Sequence, residues 1–166
     1  MNRVPTQAVE FAGFVLMHCA LIADANRNGE LVCPFAVVET EGDRLVFDFE
    51  AETQEEAIEK GWASLSDWKP TANGWAFGRE GLYRSGDSGV DVMVVTVWIR
   101  GMDVPASLIH KFGRDSEQAL YLIGAPELIL HVSQTAQLVA EWDRADLLKG
   151  ISLHPHGEKW AHWQPQ

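Results

Sequence analysis

Residues 90–100 read VDVMVVTVWIR, and from Val92 to Ile99 both alternating sets of side chains are apolar. A strand with one wet face alternates between apolar and polar residues. A strand apolar at both parities belongs in the middle of a sheet covered on both sides. The stretch therefore predicts a central strand, with helices over one face and a partner subunit or second layer over the other. Its neighbours read as strands too. Residues 74–84 place Trp75, Phe77 and Tyr83 at one parity, and the loop 85–89 (SGDSG) is a plain turn. Downstream, Leu108, His110 and Phe112 oppose Ser107, Ile109 and Lys111, and another turn leads into residues 118–123. Strands joined by short turns rather than crossover helices make a mainly antiparallel sheet.

Upstream lie a hairpin and two helices. Residues 7–23 are apolar nearly all round, which predicts a helix deep in the core. Residues 31–40 form a strand that starts after Pro34 or lies at an edge, because proline cannot donate to a ladder. Residues 44–50 alternate, with Leu45, Phe47 and Phe49 on one side. Thr53 stands three residues before Glu56, the spacing of a capping box. Ala57, Ile58, Trp62 and Leu65 then form one stripe of a second helix, closed by Pro70. Downstream of the sheet, Gly124-Ala125-Pro126 breaks the chain, and residues 127–132 read as helix or short strand. Residues 134–149 predict a third helix, with Ser133 as cap and Gly150 just past its end. The expected order is α-β-β-α-β-β-β-β-α: one α+β domain over 1–150 with about six strands, and an irregular tail over 151–166 bearing three histidines and two tryptophans.

The chain has 166 residues, 24 acidic and 13 basic, for a net charge of −11. Such a surface lacks the Lys/Arg footprint that neutralises phosphates, so nucleic acid is excluded as a partner. Residues 11–23 are too few to span a bilayer, for which about 20 are needed, so no membrane partner is expected. His18 inside that run and Glu10 before it favour a buried helix over a signal peptide, and a cytoplasmic setting follows. Cys19 and Cys33 lie in apolar runs without metal spacing and read as free, buried thiols.

Catalytic motifs are missing. There is no GxxxxGK[ST], no GxGxxG opening a helix, no GxSxG and no HExxH, so no nucleotide cofactor, serine elbow or zinc helix is expected. His154, His156 and His162 read as incidental rather than as a metal site, since Pro155 breaks regular strand geometry. His131 has no evident partner. His110 shares parity with apolar neighbours, and Asp91 with Met93, Val95 and Val97; together with Arg79 they are the polar groups of a candidate pocket between the sheet and the first helix.

The charge is concentrated. Residues 39–60 hold nine acids against Arg44 and Lys60, which accounts for −7 of the −11. Glu41, Asp43, Asp48, Glu52, Glu55, Glu56 and Glu59 form the candidate partner-binding surface, suited to steering a basic protein. The leading expectation is a small acidic, non-catalytic, protein-binding homodimer of chaperone-, inhibitor- or immunity-like type, with no cofactor or metal. The alternative is a small enzyme or ligand-binding domain using Arg79, Asp91 and His110. Trp160 and Trp163 are expected to dock the tail on the domain or on a neighbouring subunit.

Overall fold

The computed structural model describes residues 4–68 and 71–164. Helix α1 (Thr6–Ala25) is followed by the hairpin β1 (Phe35–Thr40) and β2 (Asp43–Asp48) and by α2 (Gln54–Trp68). Five strands follow: β3 (Gly74–Ser85), β4 (Ser88–Ile99), β5 (Ala106–Arg114), β6 (Leu120–Val132) and β7 (Thr135–Leu138). The chain then forms α3 (Arg144–Leu153), a short 3-10 turn and the single-turn α4 (Trp160–Trp163). All seven strands belong to one antiparallel sheet ordered β2-β1-β3-β4-β5-β6-β7. The α+β class with an antiparallel sheet is as the pattern of turns requires, and β4 is the central strand.

Helix α1 lies across the sheet with α3 beside it. Their core takes in Val15, Leu16 and Cys19 from α1, Met93, Val95 and Val97 from β4, and Leu108 and Phe112 from β5. The two helices meet backbone to backbone. A Cβ on Gly13 would lie 2.5 Å from the Leu147 carbonyl oxygen, and one on Gly150 would collide with the Glu10 carbonyl. Lys149 Nζ closes the same contact with Glu10 Oε1 at 3.0 Å. Helix α1 is long and apolar enough to cross a membrane by length and composition alone, yet most of it is buried inside the fold.

The other face of the sheet is only partly covered. Helix α2 packs on β1, β2 and β3, where Leu65, Trp75, Phe77, Phe47 and Phe49 build a second, smaller core. Thr53 Oγ1 accepts the Glu56 backbone N–H at 3.2 Å, which is half of the predicted capping box. Pro70, expected to end this helix, lies outside the described residues.

The C-terminal third departs from the sequence reading. Residues 127–132 continue β6 as strand, and β6 bulges where Gly124, Ala125 and Pro126 stand opposite His110: Ile109 pairs with Glu127 but Lys111 with Ile123. Gly124 takes φ +65°, which a glycine adopts without strain. In place of a helix from residue 134, a turn at Ser133 (φ 57°) leads into β7, and the helix begins ten residues later, after Asp143 caps the Ala145 N–H at 2.8 Å. Gly150 is therefore inside α3, chosen for the close approach to α1 rather than for termination. The boundary expected after residue 150 falls within that helix, and the described part of the tail beyond it folds into the 3-10 turn and α4. Trp160 and Trp163 bury their rings in the main core, so the tail docks on its own domain.

Candidate functional site

Register decides which polar residues meet. Arg79 pairs with Val94, and Val94 with Ile109, so Arg79 and Ile109 share a face and His110 points from the opposite one. Arg79 and His110 therefore do not line one pocket. His110 is 1% exposed on the α1 side, where Nδ1–H donates to the Lys111 carbonyl at 2.9 Å and Trp160 meets the ring edge-on at 5.6 Å. Burial lowers its pKa, with the Lys111 carbonyl opposing. Asp91 is exposed near the far end of β4. The space between the sheet and α1 is occupied by core side chains.

The partly open face holds a different constellation. Thr96 on β4 stands directly opposite Ser107 on β5, and their hydroxyls lie 2.7 Å apart. Ser107 pairs with Ile129 on β6, and His131, two residues further along the same face, reaches back to place Nε2 2.6 Å from Ser107 Oγ. Ser107 thus shares one hydrogen bond with Thr96 and another with His131, and a hydroxyl can donate one and accept the other. Burial lowers the His131 pKa, so the imidazole is neutral at pH 7. The row fronts a hollow of about 280 Å³ walled by Trp62, Arg79, Val94, Pro105, Ile109 and Ile129.

Arg79 closes one end. Its guanidinium is half-buried, lies over Gly81 and, among the described residues, donates to the Glu80 carbonyl at 3.4 Å. Among the described residues no carboxylate comes within ion-pair distance of it. Burial lowers its pKa, and Cys19 opposes this weakly, but a guanidinium stays charged at neutral pH. The side of the hollow away from Arg79 is apolar apart from the hydroxyl–imidazole row.

The acidic residues occupy two places. Glu41 and Asp43 sit at the hairpin tip, whereas Asp48, Glu52, Glu55, Glu56 and Glu59 gather around the start of α2; all seven are exposed. The length of β2 separates the groups by roughly 17 Å, at about 3.4 Å per residue. Both basic residues of this window are engaged locally. Arg44 pairs with Glu39 at 2.8 Å and lies over the Phe14 ring, and Lys60 Nζ donates to the Glu50 carbonyl at 3.0 Å.

Three histidines are placed by the tail. The His156 N–H donates to His154 Nδ1 at 3.0 Å, so His154 carries its proton on Nε2 and donates it to His18 Nδ1 at 3.2 Å. His162 is exposed. Among the described residues no three His, Cys, Asp or Glu side chains cluster as metal ligands do. Cys19 is buried and Cys33 half-buried, and both are free; burial raises both thiol pKa values. No protein-family model matches this chain, and no curated protein and no solved structure shows significant similarity to it.

Proposed function

We propose that this is a non-catalytic binding protein that takes a small organic anion with an apolar body into the hollow under Arg79. The observation that carries the reading is the half-buried guanidinium, without a carboxylate partner among the described residues, set at the end of a hollow whose other walls are apolar apart from the hydroxyl–imidazole row. A desolvated arginine recognises a carboxylate by paired charge-assisted hydrogen bonds, which are stronger than neutral ones. Apolar walls with a few convergent polar groups are the usual make-up of a ligand site. At 280 Å³ the hollow has about nine times the volume of a liquid water molecule, enough for a ligand on the order of ten non-hydrogen atoms.

The hydroxyl–imidazole row supports binding rather than acyl transfer. Ser107 is 2% exposed and sits near the start of β5 between two paired strands, where neighbouring N–H groups are committed to the ladder and offer no oxyanion hole. His131 has no carboxylate to orient it among its hydrogen-bond partners. The test is a titration followed by the fluorescence of Trp62 and its neighbours, with benzoate and its neutral isostere benzamide as probes. Benzoate is expected to bind at least tenfold more tightly than benzamide, with Arg79→Gln removing the difference. Equal affinities, or discrimination that survives Arg79→Gln, would overturn the proposal.

Protein recognition is the second reading, favoured by the exposed carboxylates Glu52, Glu55, Glu56 and Glu59, none of which is in an ion pair among the described residues. This surface at the start of α2 suits a basic partner protein in the cytoplasm. None of these four carboxylates lines the hollow, and the two readings are compatible.

A further inference from the structure

The face that bears the hollow extends well beyond it. Toward the far ends of the strands, Gly81, Val92, Lys111 and Ile123 lie in one row across β3 to β6. Tyr83 and Tyr121 belong to the next row, and Lys111 Nζ sits 5.0 Å from the centre of the Tyr83 ring. Among the described residues no helix covers this region: α2 packs on β1, β2 and β3. Tyr121 is 41% exposed and Ile123 36%, and Leu138 on β7 reaches 62%. Gly113 keeps the surface flat, because a Cβ there would lie 2.6 Å from the Tyr121 ring that now rests on it. Val92 and Val94 complete a floor that is apolar on the side away from α1 as well as toward it.

We infer that a second copy of this chain covers this face, sheet against sheet, about a two-fold axis lying in the contact plane. Area and charge both point to that occupant. Four strands at about 4.8 Å and nine residues at about 3.4 Å make a patch of roughly 20 by 30 Å. Two copies would bury on the order of 1,200 Å² in all, within the range of specific interfaces. Two chains of charge −11 repel over most of their surfaces. On this face of β3 to β6, however, Glu127 is the one carboxylate among the described strand residues, and Lys111 and Arg79 outnumber it. A two-fold contact is self-complementary, so Lys111 of each copy meets Glu127 of the other, twice over. An unrelated acidic partner would satisfy Lys111 but strand Glu127, and a basic one the reverse.

The inference does not rest on the anion-binding reading: Arg79 enters it only as a charge, and the residues tested, Lys111, Tyr121, Ile123 and Glu127, do not line the hollow. The test is light scattering of the full chain at about 50 µM, with circular dichroism to monitor the fold. The wild type is expected at about twice the chain mass of 18.5 kDa. Ile123→Glu and Tyr121→Glu should each give a folded species at the single-chain mass. Lys111→Glu and Glu127→Lys should each weaken association at least tenfold, and the double exchange should restore it to within about threefold. These positions are exposed or half-buried, and the charge exchanges keep the fold testable should the Ile123 variant fail to fold. A wild type at the single-chain mass overturns the inference. So does a dimer indifferent to these substitutions, or one that the double exchange fails to restore.

Discussion

Replacing Ser107 with alanine removes the middle of the hydrogen-bonded row that fronts the hollow. Thr96 is 6% exposed, and its hydroxyl, 2.7 Å from Ser107 Oγ, has no other side-chain partner among the described residues. In Ser107→Ala that hydroxyl stays buried and unpaired, a penalty of about 1–3 kcal/mol, whereas half-buried His131 can turn to water. The single variant should therefore lose about 2 kcal/mol, or roughly 4–8 °C in Tm for a chain of this size. Thr96→Val removes one hydrogen bond but leaves Ser107 bonded to His131, for a loss of about 1 kcal/mol. The double variant leaves no buried hydroxyl stranded and should also lose only about 1 kcal/mol, well short of the two singles together. The assay is urea unfolding followed by tryptophan fluorescence, with an unchanged m-value showing that stability alone has moved. Singles that add to within about 0.4 kcal/mol would mean that Thr96, Ser107 and His131 do not act as one unit, and the reasoning would fail.

Two further predictions concern charge. His18, His110, His131 and His154 all have pKa values lowered chiefly by burial, with Asp48 opposing at His18 and Glu158 at His154. The unfolded chain then binds more protons than the folded one once pH falls below the ordinary histidine value of about 6.5. Their contribution is complete above that pH and is lost below it. Glu80, whose pKa burial raises, works in the opposite direction as its carboxyl takes up a proton. Four histidines outweigh it, so denaturant midpoints should fall between pH 7.5 and 5.5, and His154→Gln should flatten the profile; a flat wild-type profile counts against the buried neutral imidazoles. Reversing Glu52, Glu55 and Glu59 to lysine should slow association with a basic partner recovered by co-purification, more so at low salt. An unchanged on-rate would dispose of the steering surface.

Much of the fold was legible because its signals are local. The two-sided apolar run of β4, the alternation in β5 and the Thr53 cap each depend on residues within one element. The stripe of α2 was equally clear. The run from Ser133 to Lys149 misled because the β6–β7 turn lacks the Asn-Gly or Asp-Gly that marks two-residue hairpins, while Leu138, Val139 and Trp142 happen to fit a helical spacing. Gly150 reads as a helix end in the sequence, since nothing in one chain segment shows that another helix backbone passes against it.

The hollow was not legible, for a related reason. Thr96, Ser107 and His131 come from three strands, and their meeting depends on register, which no single segment encodes. The available signal was Thr96 itself, a hydroxyl interrupting an otherwise apolar central strand. The sequence places His110 and Asp91 among apolar neighbours of their own strands, and only the ladder shows that Arg79 stands on the opposite face from His110. Parity within each strand was right, but the faces could be matched only through the ladder.

The central claim is that Arg79 and the Thr96–Ser107–His131 row form a site for small organic anions. Its most direct test is an amide and side-chain NMR titration of the assigned protein with benzoate to about 10 mM. The account predicts saturable shifts at Arg79, Val94, Ser107, Ile109 and His131, absent in Arg79→Gln and much weaker with benzamide. Shifts confined to other surfaces, or none at these residues, would contradict it.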